Sequence, residues 1–141
     1  MLPDPSVTPG AVDTSVSQSN IAVTICRSGY AAQTRPRESY VHGLKLAQLQ
    51  TPTRGYLSTS PKDFEEDHLI PLELGGASSD PFNLWPQPYE GDWNAKKKDR
   101  LENALHRRVC MNIGDPRRLS LAQAQKLIRE NWVVAYEEYV N

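Results

Sequence analysis

Pro71 and the pair Gly75-Gly76 interrupt an otherwise extended stretch, and they constrain this chain more than any other feature. The run "FEEDHLIPLEL" reads as a strand broken by Pro71. "GGASSDPF" is a turn cluster, and "NLWPQPYEGD" is a short strand passing into a loop. Pro86 and Pro88 cannot donate to a ladder, which bars the second strand from the centre of a sheet. The stretch therefore predicts one small hairpin.

Helical patterns fill most of the remainder. "SVSQSNIAVTIC" predicts a short helix with Val16, Ile21, Val23 and Ile25 available for burial, stopped by Gly29. A second helix starts near Pro36, with Tyr40, Leu44 and Ala47 on one stripe and Gly43 weakening its middle. A strong helical segment runs from Asn94 to about Cys110. The last helix is N-capped by Ser120, with Gln123 completing a capping box. Its buried stripe is Ala124, Leu127, Ile128, Trp132, Ala135 and Tyr139. The class is α+β: one hairpin and four or five helices.

At 141 residues there is room for one domain with a modest core. Residues 1–14 read as an extended, largely structureless lead, and 15–141 as the single domain. No apolar run approaches the length of a membrane span, so no membrane partner is expected. The net charge of −1 excludes the global basic field of many nucleic-acid binders. Its distribution is uneven, however. Residues 61–92 hold eight acids against one lysine, while 94–108 hold six Lys/Arg against two acids.

Cys26 and Cys110 are far apart and in no C-x-x-C pair, which argues against a cysteine zinc site. One long-range disulfide and two buried free thiols both fit the count. The Pro/Ser/Thr-rich start, "LPDPSVTPGAVDTS", tilts the balance toward the disulfide. It reads as the beginning of a mature secreted or periplasmic chain whose signal peptide has been removed. A disulfide closing so long a loop stabilises by about 4–5 kcal/mol in chain-entropy models.

Within residues 64–110 four residues recur at informative spacings: Asp67-His68, Asn83 and Asn94. A hairpin packed on a helix start would bring them together. Asn94 shares a helical stripe with Leu101 and Leu105, so it is expected to point inward. Neighbours in a regular strand point to opposite faces. Asp67 and His68 can serve one site only if the strand twists or ends there.

"DHLIPLELGGASSDPFNLWPQ" followed by "NAKKKD" resembles the HNH endonuclease family, with its ββα-metal core. The resemblance covers about a quarter of the chain. "NIAVTICRSGY", "RPRESY" and "KKDRLENALHRRVC" are similar to parts of small exported bacterial proteins that carry this domain. The resemblance implies a ββα-metal core with additional flanking helices. It implies that His68 is the general base that takes a proton from water. Asp67 matches a ligand of one divalent metal, Asn83 the asparagine that braces the loop, and Asn94 a second metal ligand, often histidine in the family. The paired cysteines that hold zinc in many members are absent, and a Cys26–Cys110 disulfide could replace that staple. A carboxylate and an amide oxygen suit Mg²⁺ or Mn²⁺ better than Zn²⁺.

These residue types fit phosphodiester hydrolysis. A neutral imidazole accepts a proton near pH 7, and one bound metal could stabilise the charge on the phosphoryl and leaving oxygens. Lys96, Lys97, Lys98, Arg100, Arg107 and Arg108 are expected to grip phosphates beside the acidic patch. The expected partner is DNA, cut with little sequence preference, with RNA as the alternative. Whether an immunity or inhibitor protein exists is not written in the sequence.

Each residue also has a bland role. His68 is then a satisfied strand-end residue, Asp67 an ion-pair partner of Lys62, Asn83 a turn residue and Asn94 a helix cap competing for the same oxygen. Glu65 and Glu66 are read as solvated. Asp99, Glu102 and His106 are read as an exposed stripe with a Glu102–His106 pair, in preference to a second metal site. The competing function classes are a non-catalytic nucleic-acid- or protein-binding module on the same fold and a structural protein whose acidic patch binds calcium.

Overall fold

The computed structural model describes residues 1–140. Strand β1 (Phe64–His68) pairs antiparallel with β2 (Leu84–Pro88), with Glu66 opposite Pro86 and His68 opposite Leu84. Hydrogen bonds from Leu69 N to Asn83 O and from Tyr89 N to Asp63 O fix the phase of this ladder. Bonded and non-bonded pairs alternate in an antiparallel ladder. Pro86 and Pro88 therefore fall at non-bonded positions, where no N–H is needed. The rest is helical: α1 (Tyr30–Thr34), α2 (Glu38–Leu49), α3 (Ala95–Val109) and α4 (Leu121–Tyr139). The α+β class is as expected.

The hairpin lies between α2 and α3. On one side Gln48 Nε2 donates to Leu84 O at 2.9 Å, and Lys45 Nζ to Phe64 O at 3.1 Å. On the other, Lys98 of α3 reaches His68 O at 2.8 Å. The main core joins α3 to α4 through Leu101, Leu105, Val109, Ile128 and Trp132, with Ile70 and Leu74 beneath the loop after β1. The capping box forms: Ser120 Oγ accepts from Gln123 N, and Gln123 Oε1 accepts from Ser120 N. Within α4, Asn131 leaves helical geometry (φ −161°, ψ 92°), and its Oδ1 accepts from Val134 N, capping the second half.

Cys26 and Cys110 form a disulfide, tying the segment before α1 to the end of α3. No helix among the described residues is long and apolar enough to cross a membrane.

Several expectations are corrected. The first helix is only a 3₁₀ turn, Gln18–Val23, with Val23 68% exposed. The second begins at Glu38, after a separate α1, because Arg35 precedes a proline and is held extended. It buries Gln48 and Leu49, and Ala47 is exposed. The lead is extended but not structureless. Gly10 N donates to Phe82 O and Asp13 N to Gly75 O, while Ala11 O accepts from Ala77 N. Loop backbone groups left free by the hairpin supply those partners.

Candidate active site

Beside β1 lies an open cavity of about 700 Å³. Glu65 to His68 line it from β1, Arg35, Glu38 and Val41 from the α1–α2 corner, and Asp99, Glu102 and Asn103 from α3. Directly paired residues share a face, so Asp67 sits with Trp85 and His68 with Leu84 on opposite faces. Both still reach one cavity because β1 has a partner on one side only. The cavity runs along its free edge and collects side chains from both faces.

His68 Nε2 lies 2.9 Å from Ser78 O. A carbonyl only accepts, so Nε2 carries the hydrogen and Nδ1 keeps the lone pair. Burial lowers the imidazole pKa below 6.5; the Ser78 bond and Asp67 oppose this, and Lys98 and Arg35 reinforce it. The ring is therefore a neutral base at pH 7, held in one tautomer. Ser78 Oγ in turn donates to Thr34 O, binding the loop to α1.

Asn83 is fully buried. Its Oδ1 accepts from Ile70 N at 3.0 Å and Ala11 N at 3.3 Å. Its Nδ2 donates to Ile70 O and Ala77 O, both at 3.0 Å. All four hydrogen-bonding places are filled. The side chain braces the loop from behind and does not line the cavity. Gly76 closes the same turn, where a Cβ would stand 1.7 Å from Ile70 O.

Asn94 serves the start of α3. Its Oδ1 accepts from Lys97 N at 3.1 Å, its Nδ2 donates to Gly91 O at 3.0 Å, and it does not line the cavity. The open N–H groups of the first turn of α3 claim its oxygen. The Asn94 oxygen of the expected Asp67–Asn94 ligand pair is thus engaged as a helix cap.

Lys98 fills that role of partner. It is fully buried, with Nζ 2.8 Å from Asp67 Oδ2, 2.8 Å from His68 O and 3.3 Å from Glu102 Oε2. Burial works against its charge, but Asp67 and Glu102 outweigh burial and raise its pKa. Lys98 is therefore a structural counter-ion and not a surface grip for phosphates.

The other expected phosphate grips also lie off the cavity. Lys97 stacks 4.5 Å over Trp93, Arg100 5.7 Å over Tyr136 and Arg108 5.0 Å over Tyr139. Lys96 and Arg107 are exposed on α3. Successive residues turn by 100° on a helix. The side chains of 97, 100 and 108 thus turn away from those of 98, 99 and 102, while 96 and 107 fall next to 103.

Sequence reasoning missed most of the acids. Glu65 and Glu66 are half-buried, and their oxygens Glu65 Oε2, Glu66 Oε1 and Glu66 Oε2 have no hydrogen-bond partner. Burial, then Asp67 and Asp99, push the Glu65 carboxyl up to about 7. Burial carries Glu66 to about 8 despite Arg54 and Lys45. Asp99 and Glu102 are raised as well, chiefly by burial. Glu102 pairs with Lys98, while His106 Nδ1 lies 3.9 Å from Glu73 Oε2 and His106 Nε2 donates to Ile25 O. The 98–102 spacing was the available signal for the first pair.

Among the described residues no three His, Cys, Asp or Glu side chains converge on one metal position. A closed zinc cage does not fit this arrangement. The cavity instead offers carboxylate oxygens, including the orphaned, buried Glu65 Oε2. Mg²⁺ uses one or two carboxylates plus waters and substrate phosphates, not an all-protein cage. That donor chemistry fits a hard divalent ion.

No protein-family model, curated protein or solved structure matches this chain.

Proposed function

We propose that the chain is a metal-dependent endonuclease of the HNH type, hydrolysing DNA phosphodiester bonds with little sequence preference. The observation that carries this reading is the setting of His68: half-buried, fixed through Nε2 to Ser78 O, and lining the cavity beside Asp67, with burial lowering its pKa. Such an imidazole is a general base suited to neutral pH.

In this reading His68 Nδ1 takes a proton from a water molecule as its oxygen attacks phosphorus. The P–O3′ bond breaks, solvent protonates the departing oxygen, and the products are a 5′-phosphate and a 3′-hydroxyl. Mg²⁺ or Mn²⁺ held on Asp67 would supply Lewis-acid stabilisation of the phosphoryl charge. Asn83 keeps the loop that bears Ser78 in register, and so keeps the His68 tautomer. The Cys26–Cys110 disulfide is compatible with a secreted or periplasmic protein.

A second reading has an observation of its own. Lys98 already neutralises Asp67, which suits a non-catalytic nucleic-acid-binding module on the same frame. Supercoiled plasmid incubated with the protein and Mg²⁺ or Mn²⁺, with and without chelator, separates the two. Nicking that chelation abolishes supports the nuclease. Binding without nicking under either metal supports the module, and nicking that survives chelation removes the metal from the account.

A further inference from the structure

We propose that Arg35 is the phosphate-binding residue of the cavity, its guanidinium holding the non-bridging oxygens of the substrate phosphodiester on the wall facing α3. The inference takes its substrate from the nuclease reading and its location from the charges of the cavity itself.

Seven carboxyl side chains line the cavity, against one arginine and no lysine. A phosphodiester anion entering there needs a fixed positive partner. No basic residue of α3 lines the cavity. Lys98 is close to the site, yet its three N–H donors are committed to Asp67, His68 O and Glu102. Among the described residues Arg35 is the one Lys or Arg that lines the cavity. It is exposed and has no hydrogen-bond or ion-pair partner among the described residues, so its planar fork is free. A guanidinium binds phosphate through two parallel charge-assisted hydrogen bonds.

Arg35 is also held in place. Its backbone is extended (φ −59°, ψ 134°), as the following Pro36 requires. Thr34, its neighbour, accepts from Ser78 Oγ, and Ser78 O accepts from His68 Nε2. Two hydrogen bonds thus place Arg35 and the base on one frame. The sequence hid this role because Arg35 stands in a loop before α2, remote from the motif it serves.

The test uses the full chain as wild type, Arg35→Ala, Arg35→Lys, His68→Ala and the His68→Ala/Arg35→Ala double variant. Plasmid nicking with Mn²⁺ is read as kcat and KM. Binding of a labelled DNA oligonucleotide by the two His68→Ala proteins is read by anisotropy. Arg35→Ala is expected to lower kcat/KM and weaken binding by about tenfold or more, the scale of a lost charged hydrogen bond. Arg35→Lys restores only part of this, and thermal midpoints stay unchanged because the side chain has no folded partner. Wild-type kcat, KM and binding in Arg35→Ala would overturn the inference while leaving the nuclease reading intact. If wild type does not nick, the nuclease reading fails and binding alone decides. A tenfold loss on removing Arg35 then sustains the assignment; equal binding, or none by either protein, refutes it.

Discussion

Lys98 Nζ lies 2.8 Å from Asp67 Oδ2, with the lysine wholly buried and the aspartate 7% exposed. This pair locks α3 to the end of β1 beside His68. Removing one member leaves a buried charge without its partner, which costs about 3–5 kcal/mol. Lys98→Met is expected to lose that much in urea denaturation. Lys98→Met with Asp67→Asn is expected to lose less than the sum of the two single changes, because each removes the other's penalty.

Stability is expected to fall as pH rises from about 4.5 to 8. Burial lifts the Glu66 carboxyl from 4.5 to about 8 on folding. Within that window the folded chain keeps a proton that the unfolded chain has released. The slope is at most about 1.4 kcal/mol per pH unit for one such group. Glu65, raised to about 7, acts in the same direction. Denaturation midpoints in chelator at pH 5 and pH 8.5 check this, and Glu66→Gln is expected to flatten the trend and stabilise the protein at pH 8.5.

Asn83→Ala removes the partner of Ile70 N, Ile70 O, Ala77 O and Ala11 N at once. Buried groups left unpaired cost about 1–3 kcal/mol each. A loss of about 3 kcal/mol or more is expected. Asn83→Asp does not rescue it, because a carboxylate oxygen would then face two carbonyls. Chemical denaturation of the three proteins measures both.

Two glycines give opposite outcomes. At Gly76 a Cβ would meet Ile70 O at 1.7 Å, so Gly76→Ala must move backbone and is expected to cost about 3 kcal/mol or more. At Gly43, inside α2, a Cβ meets nothing within 4 Å. Gly43→Ala is expected to gain about 0.5–1 kcal/mol. Thermal melting of both against wild type decides.

The hairpin, α3 and α4 were legible because local rules govern them: prolines at non-bonded positions, a double glycine, a capping box, a helical stripe. Asp67 and His68 reach one cavity. β1 ends at His68, as that expectation asked, and its free edge opens on the cavity. Asn94 caps α3, the alternative the sequence left beside metal binding, because a helix start and a metal both want an amide oxygen. Lys98 was misread because the triple lysine looks solvated, and only the hairpin opposite Lys98 decides otherwise. Arg35 and Ser78 come to His68 through tertiary contacts that no local pattern records.

The rate of supercoiled-plasmid nicking by wild type and His68→Ala, with Mn²⁺ from pH 5 to 8, tests the central claim most directly. Burial holds the His68 pKa below 6.5. The wild-type rate is therefore expected to rise through a midpoint below that value and level off by pH 7. His68→Ala is expected to be slower by about 100-fold or more, with the limb gone. A folded His68→Ala protein that nicks at the wild-type rate, with the same pH profile, would contradict the account.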